Sequence, residues 1–167
     1  MKKIFKIIQH YGFSIIPTFT ILVSILFTIM PYQVSNVSLL MPLIVHITLY
    51  FWTVYRPQTV PYVIVLILGM LKDIIESNIL GLNVLYFLLF QIIIKSQRKY
   101  IYNNVFIVVW AGFMFCLSLI LLLPLLLSKF DVNIKHYSLS IVFIQWLITI
   151  FAYVPIHWLL SKLNNEQ

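Results

Sequence analysis

Apolar residues run along this chain in blocks of membrane length, separated by short polar stretches. Taking the roughly 20 apolar residues that one helical crossing needs, blocks fall near residues 13–30, 37–55, 105–127 and 138–160. Each predicts a membrane-spanning helix. The stretch from Pro61 to Ile94 is too long for one straight crossing, because at 1.5 Å per residue it would run about 50 Å against a hydrocarbon core of about 30 Å. It must fold back on itself. The segment Glu76-Ser-Asn-Ile-Leu-Gly-Leu-Asn83 holds the Ser, Asn and Gly that a reversal uses, which predicts two helices near 61–77 and 80–95. The expected fold is all-α: a single integral membrane domain over residues 1–167, polytopic, with about six transmembrane helices. Pro17, Pro42, Pro124 and Pro155 fall inside predicted spans, where proline kinks a helix and frees carbonyls for its neighbours.

Composition turns this pattern into a class. With 62% hydrophobic and 9% charged residues and a mean hydropathy of +1.03, the chain lies far from the soluble norm of about 45–50% apolar and about 25% charged. The connections between blocks are too short to hold a soluble catalytic module. Lys2, Lys3 and Lys6 precede the first block, but that block exceeds the length of a secretion signal's apolar region and no small-x-small cleavage site follows it, so it reads as a retained span. Cys116 is the single cysteine, which excludes a disulfide framework and a Cys-based metal site.

Charge sets the expected orientation. With the N-terminus inside, Lys2, Lys3, Lys6, Arg56, Lys95, Arg98, Lys99 and Lys162 are cytoplasmic and Lys129 and Lys135 external, a bias of about eight to two in the positive-inside sense. A single crossing over Pro61–Ile94 would put Lys95, Arg98 and Lys99 outside and erase most of that bias, so the count supports the hairpin. Both termini are expected in the cytoplasm. The net charge of +7 is then an orientation signal and no sign of nucleic-acid binding.

The candidate site follows from the only charges in the hairpin, Lys72, Asp73 and Glu76. A charged side chain within hydrocarbon costs a few kcal/mol unless it is paired or faces the inside of a bundle, so an intramembrane carboxylate marks a site. At helical spacing Gly69, Lys72, Asp73, Glu76 and Leu80 are expected on one face. Gly69, one turn before Asp73, would let a partner helix approach closely. Lys72 can reach Glu76 at i+4, in the weaker order for such a pair, or snorkel, and Glu76 can be wetted near its helix end, which leaves Asp73 as the residue that needs partners. It reads first as a hydrogen-bonding hub fixing helix packing, then as a partner-facing or pocket residue, and last as a proton relay. His46 and His157 have no metal-ligand spacing and read as packed histidines; Gln91 and Gln145 read as links between helices. H-E-x-x-H, G-x-S-x-G and P-loop motifs are absent, and a shared-proton aspartyl pair lacks its second intramembrane carboxylate. No catalytic residue, metal or cofactor is expected.

The run Gly69-Met-Leu-Lys-Asp73-Ile-Ile-Glu-Ser-Asn-Ile-Leu80-Gly81 resembles the G-x-x-x-D-x(6)-L-G signature of MreD, the bacterial rod shape-determining membrane protein family. Pro42, Phe51-Trp52 and Pro57 resemble that family's proline, aromatic-Trp and proline at the same separations. The resemblance implies a central motif of Gly69, Asp73, Leu80 and Gly81, to which the charged face adds Glu76, a departure from the family pattern, with Pro42, Trp52 and Pro57 at turns or facing a partner. It implies a multi-pass protein of the bacterial plasma membrane, similar in fold to the substrate-binding subunits of energy-coupling-factor transporters. It further implies a non-enzymatic scaffold of cell elongation that binds MreC through its membrane span and external domain, and through it reaches MreB and the peptidoglycan synthases, with membrane lipids around it. The alternative is a small-molecule, vitamin-like binding subunit of such a transporter, with an outward-open polar pocket near Asn78–Asn83.

Overall fold

The computed structural model describes residues 16–28, 42–76, 80–101, 105–127 and 139–165. Every regular element among them is a helix: α1 (Ile16–Thr28), α2 (Ile44–Tyr55), α3 (Tyr62–Ile75), α4 (Leu82–Ile101), α5 (Phe106–Leu127) and α6 (Leu139–Asn165). Helices are what hydrocarbon demands, since each satisfies its own backbone polar groups. α5 and α6 are long and apolar enough to cross a membrane, whereas α1 and α2 are shorter apolar helices.

The reversal expected between Glu76 and Asn83 separates α3 from α4. α4 continues to Ile101 and α6 to Asn165, past the expected ends at 95 and 160, so Arg98 and Lys99 are helical as Lys95 is. Pro42 stands before α2 and outside it, unlike Pro124 and Pro155, which lie inside α5 and α6. The proposed start of the second span at 37 lies outside the described residues.

α2 is the axis of the molecule. Its residues from Val45 to Val54 are all buried, because α4 and α6 pack along it and α5 touches it. α1 adds a further side through Ile21, Ser24 and Ile25, with Ser24 Oγ 3.1 Å from Thr48 Oγ1 and Trp52 Nε1 donating to Thr20 Oγ1 at 2.7 Å. Toward α5 and α6, Tyr50 donates to the Val109 carbonyl at 2.8 Å and stacks edge-on against Phe113, which in turn lies flat on Tyr153 with centroids 4.5 Å apart.

With 12 residues, α2 is about 18 Å long, well under the about 30 Å of a bilayer core. Its ends are therefore closed by other helices. At the N-terminus the Leu43 amide donates to Thr149 Oγ1 of α6 at 3.1 Å. At the C-terminus the Val54 carbonyl accepts from Arg98 Nε of α4 at 2.8 Å, a cation placed where the helix dipole is negative. Thr149→Val keeps the shape and removes the acceptor, leaving the Leu43 amide unpaired. The expected cost is about 1 kcal/mol, read as a lowered thermal midpoint of the purified protein in detergent.

Candidate functional site

The site lies where α3 hands over to α4. α3 packs chiefly on α4 and buries Val65, Leu68, Gly69, Lys72 and Asp73, a stripe at three- and four-residue spacing. Close contact begins at Gly69: a β-carbon there would stand 2.7 Å from Val84 Cα and 3.0 Å from its amide nitrogen. Only glycine admits the backbone of α4 at that distance. The partner that Gly69 accommodates is thus the next helix of the same chain.

One turn further on, Asp73 is wholly buried and its carboxylate closes the N-terminus of α4. Gly81 is the N-cap of that helix, since its carbonyl accepts the first intrahelical bond, from the Leu85 amide at 2.9 Å. An N-cap residue ordinarily supplies a side-chain acceptor to the amides of the first turn, and glycine has none. Asp73 takes that role from the neighbouring helix: Oδ2 accepts from the Gly81 amide at 2.8 Å, and Oδ1 accepts from the Asn83 amide at 3.0 Å and from Asn83 Nδ2 at 2.9 Å. Gly81, at φ 98°, adopts a left-handed backbone that other residues reach only with strain.

Asn83 joins the remaining charges. Its side-chain oxygen accepts from Lys72 Nζ at 3.0 Å and its Nδ2 also reaches Glu76 Oε2 at 3.2 Å. Lys72 Nζ lies 3.4 Å from Glu76 Oε1 and 5.5 Å from the centre of the Phe87 ring. Lys72 therefore does not snorkel; it is 8% exposed and turned inward. Two carboxylates face one ammonium plus the roughly half positive charge of a helix N-terminus, and this near balance is what makes the group tolerable in an apolar setting.

Of the residues singled out from the sequence, Gly69, Asp73, Glu76 and Gly81 come together here. Leu80 does not: α3 ends at Ile75, so the face it was expected to share stops short, and Leu80 sits in the turn, 73% exposed. Trp52 is buried at the α1–α2 contact, Pro42 precedes α2, and Pro57 lies in the α2–α3 turn, where the Thr59 amide and hydroxyl both donate to the Arg56 carbonyl. None of these three joins the Asp73 group. His46 lies edge-on to Phe87 and Phe90, and His157 Nε2 is 3.2 Å from the Tyr55 hydroxyl. Gln91 donates to the Val60 carbonyl at 2.7 Å. Asn83, placed by the sequence only in the reversal and at the edge of the alternative pocket, is the main partner of Asp73. Thr149 and Arg98 were missed because their partners lie 106 and 44 residues away, and no local pattern announces them.

A cleft of about 320 Å³ opens elsewhere, between α5 and α6. Leu121, Leu125, Val142 and Phe143 line it, and its polar contact, Trp146 Nε1 to Ser118 Oγ at 3.1 Å, is internally satisfied. It is not the polar pocket expected near Asn78–Asn83, where Asn78 and Ile79 lie outside the described residues.

The described residues form an all-helical fold with two helices long and apolar enough to cross a membrane, in which a buried carboxylate of one helix caps the next. The family model for rod shape-determining protein MreD matches residues 9–163, and the chain belongs to that family. No curated protein and no solved structure matches it. Its function accordingly falls in the determination of rod cell shape.

Proposed function

We propose that the chain is a non-enzymatic scaffold of the cell-elongation machinery, a multi-pass protein of the plasma membrane with cytoplasmic termini that binds MreC, and through MreC serves MreB and the peptidoglycan synthases. The observation that carries this reading is the engagement of both Asp73 oxygens by the first turn of α4. A carboxylate so placed fixes the angle and register of two helices. It holds the junction rigid, and the exposed Leu80 beside it offers an apolar contact to a neighbouring span. With no solved structure matching, the likeness to vitamin-transporter subunits carries no weight in this reading.

The test is recovery of full-length MreC with the tagged chain from membranes. Asp73→Asn keeps one carbonyl acceptor for Asn83 and is expected to retain most of the MreC, whereas Asp73→Leu keeps none and is expected to lose it. Undiminished recovery with both variants would overturn a packing role for the site in MreC binding. A small molecule copurifying in stoichiometric amount would favour the transporter reading instead.

A further inference from the structure

The described charges divide between the two ends of α3 and α4. Lys72, Asp73 and Glu76 form the capped junction at one end. At the other, about 21 Å away along the 14 residues of α3, are Arg56 after α2, Lys95, Arg98 and Lys99 in the last turns of α4, and Lys162 near the end of α6. Contacts gather these cations at one end of the bundle: Arg98 reaches the Val54 carbonyl, Arg56 Nε reaches Asn164 Oδ1 at 2.8 Å, and Lys95 Nζ lies 3.7 Å from the centre of the Tyr62 ring. The described carboxylates, Asp73 and Glu76, are both at the far end.

We propose that Lys95 and Lys99 form a binding site for the phosphodiester of an anionic diacyl phospholipid of the phosphatidylglycerol type. The two lysines are four residues apart and share one face of α4. Each ammonium stands against a tyrosine ring, Lys99 Nζ being 4.7 Å from the centre of Tyr100, an arrangement suited to the headgroup layer, where tyrosine concentrates and lysine extends toward phosphate. Below Tyr62, Leu66 and Met70 continue the same exposed stripe of α3 at four-residue spacing. The surface is thus cationic at the rim and apolar on the slope beneath it. That combination fits a lipid, whose phosphate and acyl chains meet both parts, and leaves a soluble acidic peptide or a nucleic acid with an unmatched apolar slope.

This inference rests on reading the chain as a membrane-spanning bundle, but not on MreC binding. Its test is the electron spin resonance of spin-labelled phosphatidylglycerol and phosphatidylcholine, present in both leaflets of phosphatidylcholine vesicles that contain the purified full chain. The wild type is expected to immobilise the anionic probe in preference to the zwitterionic one. The preference is expected to fall about fivefold for each lysine removed in Lys95→Gln/Lys99→Gln, to survive in Lys95→Arg/Lys99→Arg, and to fade in 1 M salt. Should the glutamine pair not fold, Lys99→Gln alone, at an exposed position, carries the measurement. Equal immobilisation of the two probes by the wild type, or a preference unchanged in the glutamine variant, would overturn the assignment. Neither outcome depends on a partner protein, so failure here and failure of MreC recovery are separable.

Discussion

Asp73→Leu is expected to cost about 3 kcal/mol or more of stability. The substitution removes the acceptor of three hydrogen bonds, two of them from backbone amides that have nowhere else to turn at a buried helix start, and each unpaired buried donor costs about 1–3 kcal/mol. It also leaves Lys72 and Glu76 beside an apolar group in place of a carboxylate. Asp73→Asn is milder, at about 1–2 kcal/mol, because one oxygen still serves Asn83 while the amide nitrogen meets the Gly81 amide donor to donor. Thermal unfolding of the purified variants in one detergent measures both. A leucine variant as stable as the wild type would show that α4 needs no cap from α3.

Gly69→Leu is expected to be nearly as damaging, by a different route. Even a single added carbon meets the Val84 backbone at 2.7 Å, and a backbone, unlike a side chain, has no rotamer to yield. Gly69→Ala is expected to cost about 1–3 kcal/mol, the usual range for overpacking, and leucine more. Moving α4 away to make room also draws Gly81 and Asn83 off the Asp73 carboxylate. Combined with Asp73→Leu, Gly69→Leu should therefore add much less than its separate cost, since the two share one contact. Fully additive losses would show that the glycine and the aspartate act independently.

The helical architecture was legible because an apolar chain in lipid has few options and because the run from Pro61 to Ile94 could not cross once. The break between α3 and α4 falls between Ile75 and Leu82, and the charged residues beside it stand out as exceptions in an apolar field. What escaped was the direction of the contacts. Helical periodicity was carried through to Leu80, although the chain leaves the helix after Ile75, so a residue expected in the packed face is exposed. Lys72 is free by its length to extend outward; Asn83 on the next helix, together with Glu76, holds it inward. The spacing from Asp73 to Gly81 acquires its meaning in the folded hairpin, where it brings a side chain to a helix start that has no side chain of its own.

The closure of α2 bears on how this protein is made. The residues that complete its two ends, Arg98 and Thr149, emerge from the ribosome long after α2 has been synthesised. Until they arrive, a 12-residue segment too short to span the bilayer has exposed terminal amides and carbonyls, so nascent chains halted before α6 would hold it in an unfinished state. α2 is thus translated before the helices that seal it, and its first amide finds its acceptor only once α6 is in place.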